Sequence, residues 1–172
     1  MKNSKELIDL LNLKENEKNI FSGESVTIGS PNVFGGQVIA QALNAAYRTV
    51  DENRFVNSLH SYFLEAGNLS IPIDYHVEEV RNGGSFSTRR VTAKQKERTI
   101  FILAASFHKK EDGFEHQDKM PINIKQPEDL LSWSDMILKF GAFLPKSLKE
   151  FLSIERPIDF KPVRVPNPLE PK

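Results

Sequence analysis

The stretch Val33–Tyr47, VFGGQVIAQALNAAY, with Leu59–Phe63, LHSYF, shortly after it, decides the fold. A pair of glycines opens an apolar helix that carries no charge before Arg48, and a polar-aromatic strand follows. The helix is predicted to run from about Gly36 to Val50. Val38, Ile39, Ala42, Leu43, Ala46 and Val50 follow the 3.6-residue period, while Ala40 and Ala45 keep the remaining faces small. Small residues let a helix approach a sheet closely, and the helix-breaking glycines stand where nothing bulky is wanted. A helix apolar on most of its surface, and followed by long strands, reads as one enclosed by a sheet. Its first amides would then face outward, suited to a ligand carbonyl or an anion. Close helix–sheet packing accounts for the same glycines.

On the N-terminal side, Leu7, Ile8, Leu10, Leu11 and Leu13 form one helical stripe, with Ser4 as the expected N-cap. Residues 20–28 read as a first strand that ends before Gly29, Ser30 and Pro31. On the C-terminal side come four strand-like runs, Arg54–Leu64, Ile73–Val80, Ser85–Ala93 and Thr99–Phe107. They are joined through the turn-like Glu65–Asn68, the hairpin signal Asn82-Gly83-Gly84 and the charged segment Lys94–Arg98. No proline interrupts the chain between Pro72 and Pro121. The expected fold class is α+β, a curved antiparallel β-sheet wrapped around a central α-helix.

Composition changes after His108. Residues 109–120 are charged and polar, Leu130–Phe143 reads as helical, and the last segment carries Pro157, Pro162, Pro166, Pro168 and Pro171. Such proline density continues neither a helix nor a central strand and reads as an extended linker. The expected organisation is an N-terminal helix over 1–19, a helix-and-sheet domain over 20–117, and a helical extension with a proline-rich linker over 118–172. A chain that ends in a linker is expected to have something following it.

With 172 residues the chain has room for one domain with an appendage. Lys plus Arg equals Asp plus Glu at 23 each, which gives no case for nucleic acid or an acidic membrane surface as partner. No apolar run approaches the roughly 18 residues of a membrane span. The charged start MKNSKELIDLLNL lacks the uninterrupted apolar region of a signal peptide, so the cytoplasm is the expected compartment. The absence of cysteine removes disulfides, a thiol nucleophile and thiolate metal sites.

Five segments together resemble the acyl-CoA thioesterase II family: FGGQVIAQAL at 34–43, SLHSYFLEAG at 58–67, VRNGGSFSTRRVTAKQ at 80–95, IFILAASFHKKEDGFEHQ at 100–117 and the closing NPLEPK. The resemblance spans nearly all of residues 20–172 in the family's order and spacing. It implies a hotdog fold and hydrolysis of fatty acyl-CoA to free fatty acid and coenzyme A, without a cofactor. It also implies two hotdog modules per chain, of which this sequence carries the first. The family's aspartate, serine or threonine, and glutamine belong to the second module, and none of them maps here. Phe107 stands about where a pseudo-equivalent glutamine would fall, and Ser61 takes a strand position resembling that of the second module's hydroxyl. The implied partners are the acyl-CoA substrate and either a second hotdog module or further copies of the chain. Two other readings stay open, a non-catalytic acyl-CoA-binding hotdog subunit and a standalone hotdog hydratase or dehydratase.

Candidate site residues follow from chemistry. Gly35, Gly36 and Gln37, at the start of the helix, are placed to hydrogen-bond a thioester carbonyl as charge develops on its oxygen. An imidazole is suited to proton transfer near neutral pH, so His60 is the candidate base or substrate-orienting group, beside Ser61 and Tyr62 on the same strand. Arg89 and Arg90 point to opposite faces, so that one, taken as Arg90, reaches a coenzyme A phosphate while the other pairs with Glu78 or Glu79. His76 and His108 are expected at the surface. Four histidines without HxxxH spacing argue against zinc.

Overall fold

The computed structural model describes residues 2–164, so Pro166, Pro168, Pro171 and the closing NPLEPK lie outside the described residues. The chain divides into two compact units, Lys5–Gly113 and Phe114–Lys172, with Lys2–Ser4 grouped with the second. In the first unit the order is α1 (Ser4–Leu11), β1 (Lys14–Glu17), β2 (Ile20–Gly23), α2 (Gly35–Tyr47), β3 (Arg54–Phe63), β4 (Ile73–Asn82), β5 (Phe86–Gln95) and β6 (Arg98–Lys109). The strands form one antiparallel sheet in the order β1-β2-β4-β5-β6-β3. α2 packs against β2, β4, β5 and β6. This is the helix enclosed by a curved sheet expected of a hotdog fold.

Alternation along the strands builds the core. Tyr75 and Val77 on β4, Val91 and Ala93 on β5, and Phe101, Leu103, Ala105 and Phe107 on β6 are buried toward the helix. Each large apolar side chain among them contributes about 1.5–3 kcal/mol by leaving water. α2 buries Val38, Ala42, Ala45 and Ala46, and with them Gln37 and Gln41. Ala45, read from the periodicity as a small residue on a remaining face, is fully buried, whereas Ile39 and Leu43 are only partly so. The buried stripe advances in steps of four, which brings the glutamines inside.

The elements differ from the predicted ones in three places. The first strand stops at Gly23 rather than Ile28, because residues 24–26 leave the sheet to bond the helix: Gln37 Oε1 accepts from Val26 N at 3.1 Å, and Gln37 Nε2 donates to Glu24 O at 2.6 Å. A short exposed strand at Lys14–Glu17 precedes it and was not signalled by any apolar alternation. The Lys94–Arg98 segment shrinks to a two-residue turn with Lys96 at φ 56°. Gln95 stays inside the sheet, where its side chain bonds Asn68 N, Asn68 O and Ile71 O.

The second unit contains a 3-10 turn at Pro127–Asp129 and the helices α3 (Trp133–Phe140) and α4 (Lys146–Leu152). Ser132 and Asp135 form a reciprocal capping box at the start of α3, and these bonds hold the Asp135 carboxyl below the usual range. The helix read over 130–143 is thus confined between Ser132 and Gly141. Among the described residues no helix is long and apolar enough to cross a membrane.

Candidate functional site

α2 begins without a side-chain cap. Its N-cap residue is the apolar Phe34, and Gly35 and Gly36 are the first amides, with no carbonyl four residues back inside the helix to receive them. Beside this end lies a cleft of about 390 Å³, lined by Val33, Gly35 and Val38 from the helix side and by Phe63, Leu64, Ile100 and Phe101 from the sheet. Its floor is rigid, since Val33, Val38, Ile100 and Phe101 are buried, while Phe63 and Leu64 on the rim are half exposed. Glu65 is the only charged lining residue among the described residues, and it is ion-paired with Arg98.

The two glycines are explained by close approach of rings. A Cβ on Gly35 would lie 3.0 Å from Cε1 and Cζ of Phe63, and one on Gly36 would lie 2.5 Å from Cε1 of Phe34. The space beside both α-carbons is therefore taken by the protein's own phenyl groups.

The sequence-predicted site residues divide between the two faces of the sheet. Gly35 lines the cleft and Gly36 adjoins it. Gln37 is buried, its amide N–H bonds Phe34 O at 3.0 Å, and its side chain bonds Val26, Glu24 and Gln41. On β3, Leu59, Ser61 and Phe63 point to the helix side, opposite the buried Ala105, Leu103 and Phe101. His60 and Tyr62 point to the other face, where both are exposed and their rings meet at 4.8 Å. Arg90 is on that same outer face, exposed and paired with Glu78 at 3.1 Å. His60 and Arg90 flank Ala104 in register, on the face away from α2 and the cleft. His76 and His108, expected at the surface, are half-buried, with His108 bonded to Glu111 at 3.0 Å and stacked on Phe86.

Arg89 takes a structural position. It is 1% exposed and donates to Thr49 Oγ1 at 2.7 Å, Thr49 O at 2.6 Å and Asn82 Oδ1 at 2.7 Å, binding the chain just past α2 to the β4–β5 hairpin. Burial lowers its pKa, and Glu79 at 3.4 Å opposes that shift. A cation is favourable at this negative end of the helix dipole. Gln41 was missed by the sequence reading. It is fully buried, accepts from the Tyr75 hydroxyl at 2.7 Å and donates to Leu10 O at 2.8 Å. The available signal was a pair of glutamines four residues apart in a largely apolar helix, which places both on one face.

Residues 23–108 match the family model described as acyl-CoA thioesterase N-terminal domain. The chain belongs to this family. The chain is 44% identical to acyl-CoA thioesterase 2 of Haemophilus influenzae, in an alignment covering 94% of this chain and 56% of that protein. It is 38% identical to acyl-coenzyme A thioesterase 8 of Homo sapiens, covering 93% of this chain and 52% of that one. Among solved structures, the acyl-CoA thioesterase II TesB2 from Mycobacterium marinum superposes with a TM-score of 0.61 at 43% identity, covering 67% of this chain and 43% of that one. The chain thus spans about half the length of these relatives.

Proposed function

We propose that this chain is the N-terminal half of an acyl-CoA thioesterase, which hydrolyses a fatty acyl-CoA to free fatty acid and coenzyme A together with a second hotdog module. The observation that carries this reading is the apolar cleft ending at the uncapped start of α2, in a member of the thioesterase family. The cleft suits an acyl chain, and the Gly35 and Gly36 amides suit the thioester carbonyl. As a water oxygen attacks the carbonyl carbon, charge collects on the carbonyl oxygen, where amide donors and the helix dipole stabilise it. The C–S bond then breaks, and the coenzyme A thiolate leaves and takes up a proton.

The attacking water needs a base, and the carboxylate of the cleft, Glu65, is already paired with Arg98. We therefore assign the base to the second module. Ser61 faces the helix side and is assigned a contact with the substrate there. Gln37, with its polar atoms committed inside the protein, positions α2. His60 and Tyr62 are assigned to orienting contacts at the outer face, and Arg90 to a coenzyme A phosphate reached from that face. A place for the partner is offered by β3, which among the described residues pairs only with β6 and ends the sheet. Its free edge carries exposed Leu59, Tyr62 and Phe63. Long bare edges are avoided in folded proteins, so a second module or a second copy is assigned to it.

Thiol release from short, medium and long acyl-CoAs, by the 172-residue chain alone and joined to a second module, tests this reading. Binding without turnover alone, with turnover once joined, is expected. Full turnover by the chain alone contradicts the assignment of the base, and failure to bind any acyl-CoA sinks the reading. Because the cleft has no unpaired base among the described residues, a non-catalytic acyl-CoA-binding subunit is the second reading; it predicts binding without turnover in both forms.

A further inference from the structure

The cleft has a half-exposed rim, Phe63 and Leu64, and of the two Phe63 bridges helix and sheet. Val33 and Ile100 are held in the core, and Phe101 is fully buried, so they cannot move without disturbing the packing. Phe63 is different. The residue is 55% exposed, yet its ring touches both sides of the cleft: the position of a Gly35 Cβ is 3.0 Å away, and the Phe101 ring centroid is 4.9 Å away at a tilt of 53°. It is also the last residue of the edge strand β3, beyond the main footprint of α2. A large apolar group bridging helix and sheet at the mouth of an apolar cleft, without deep packing of its own, determines how much chain the cleft admits.

We propose that Phe63 is a specificity-determining residue, which limits acyl-chain length by holding its ring between Gly35 and Phe101. This rests on the acyl-CoA reading above and adds the residue that selects among substrates. Gly35 is then the complement of Phe63: the absence of a side chain there lets the ring lie against the helix. An alanine at 35 would demand a shift of a few tenths of an ångström, and the flexible end it meets is the Phe63 ring.

Binding constants of the 172-residue chain for CoA thioesters of about 6, 10 and 16 carbons test the assignment in the parent, Phe63→Ala, Phe63→Leu and Gly35→Ala. In Phe63→Ala the ratio of long-chain to short-chain affinity is expected to rise by about tenfold or more, since even one methylene in an apolar pocket is worth about 10–200-fold. Phe63→Leu, which keeps apolar bulk on an exposed position and guards against a fold effect, is expected to move the ratio the same way by less. Gly35→Ala is expected to move the ratio too, because its Cβ would displace the Phe63 ring within the cleft. An unchanged ratio in all three variants, each binding and melting like the parent, overturns the role of Phe63 and leaves the acyl-CoA reading intact. A parent that binds none of the thioesters overturns both.

Discussion

Replacing Gln41 by methionine removes the hydrogen-bonding hub beneath α2. The side chain is fully buried and makes four polar contacts: the Tyr75 hydroxyl at 2.7 Å, Leu10 O at 2.8 Å, Gln37 Nε2 at 3.1 Å and Glu24 O at 3.3 Å. Methionine has similar volume, so a cavity is not the main loss. What is lost is satisfaction. The Tyr75 hydroxyl and the Leu10 carbonyl are stranded, while Glu24 O keeps its bond from Gln37 Nε2 at 2.6 Å. Each stranded buried group costs about 1–3 kcal/mol, so the Tyr75 hydroxyl and the Gln37 donor together give a destabilisation of about 2–6 kcal/mol, to which the half-buried Leu10 carbonyl adds less. Burial pushes the Tyr75 phenol up, so it remains a neutral donor through the working pH range. Urea unfolding should be followed by far-UV circular dichroism, because the single tryptophan, Trp133, lies in the second unit and does not report on this one. The midpoint is expected to fall with the slope unchanged. Tyr75→Phe alone should cost only about 1 kcal/mol, since Gln41 Oε1 keeps Gln37. In the Tyr75→Phe background, Gln41→Met should cost less than in the parent, because no hydroxyl is left stranded. A loss below about 1 kcal/mol, or strictly additive single and double variants, would refute the hub.

Gly23→Ala should destabilise by about 1–3 kcal/mol in the same assay, because the new Cβ would lie 2.6 Å from Gln41 Nε2 and 2.8 Å from Leu13 Cδ2. A neutral result would mean that β2 does not approach α2 this closely. Hydrogen bonds from Asn82 and Asn19, and more weakly the charge of Arg89, hold the Glu79 carboxyl below its usual range. A carboxylate with a lowered folded pKa stabilises above its unfolded pKa, and that contribution is lost as pH falls through the lowered folded value. Melting temperature should therefore drop on the acid side of the carboxylate range, and Glu79→Gln should flatten that drop. Leu59→Lys, at the free edge of β3, should abolish association while leaving the fold intact; sedimentation showing the same species before and after would place the contact elsewhere.

Much of the fold was legible in residues. The 3.6 period of 38–50 marked the central helix to within three residues at its C-terminal end, and alternation with Asn82-Gly83-Gly84 marked the strands and one hairpin. The candidate site was legible only in part. Gly35 and Gly36 were rightly singled out as places where bulk is excluded, but the excluded atoms belong to Phe63 and Phe34. His60 and Tyr62 were read together with Ser61 because they adjoin it in sequence. In a strand that adjacency puts them on the opposite face, so identifying them with the cleft required knowing which face the helix covers. Gln41 escaped notice because a polar residue on an apolar stripe has no periodic signature; its value lies in partners up to 34 positions away.

The chain's own order of glycines, small apolar residues and alternating strands determined that a buried helix lies against an antiparallel sheet, because periodicity is local and each residue reports its own face. Tertiary structure alone decided which of two neighbouring arginines was buried, which glutamines hold the helix, and which side of β3 meets the cleft. These depend on register between strands distant in sequence, and a one-residue change of register would exchange the two faces entirely.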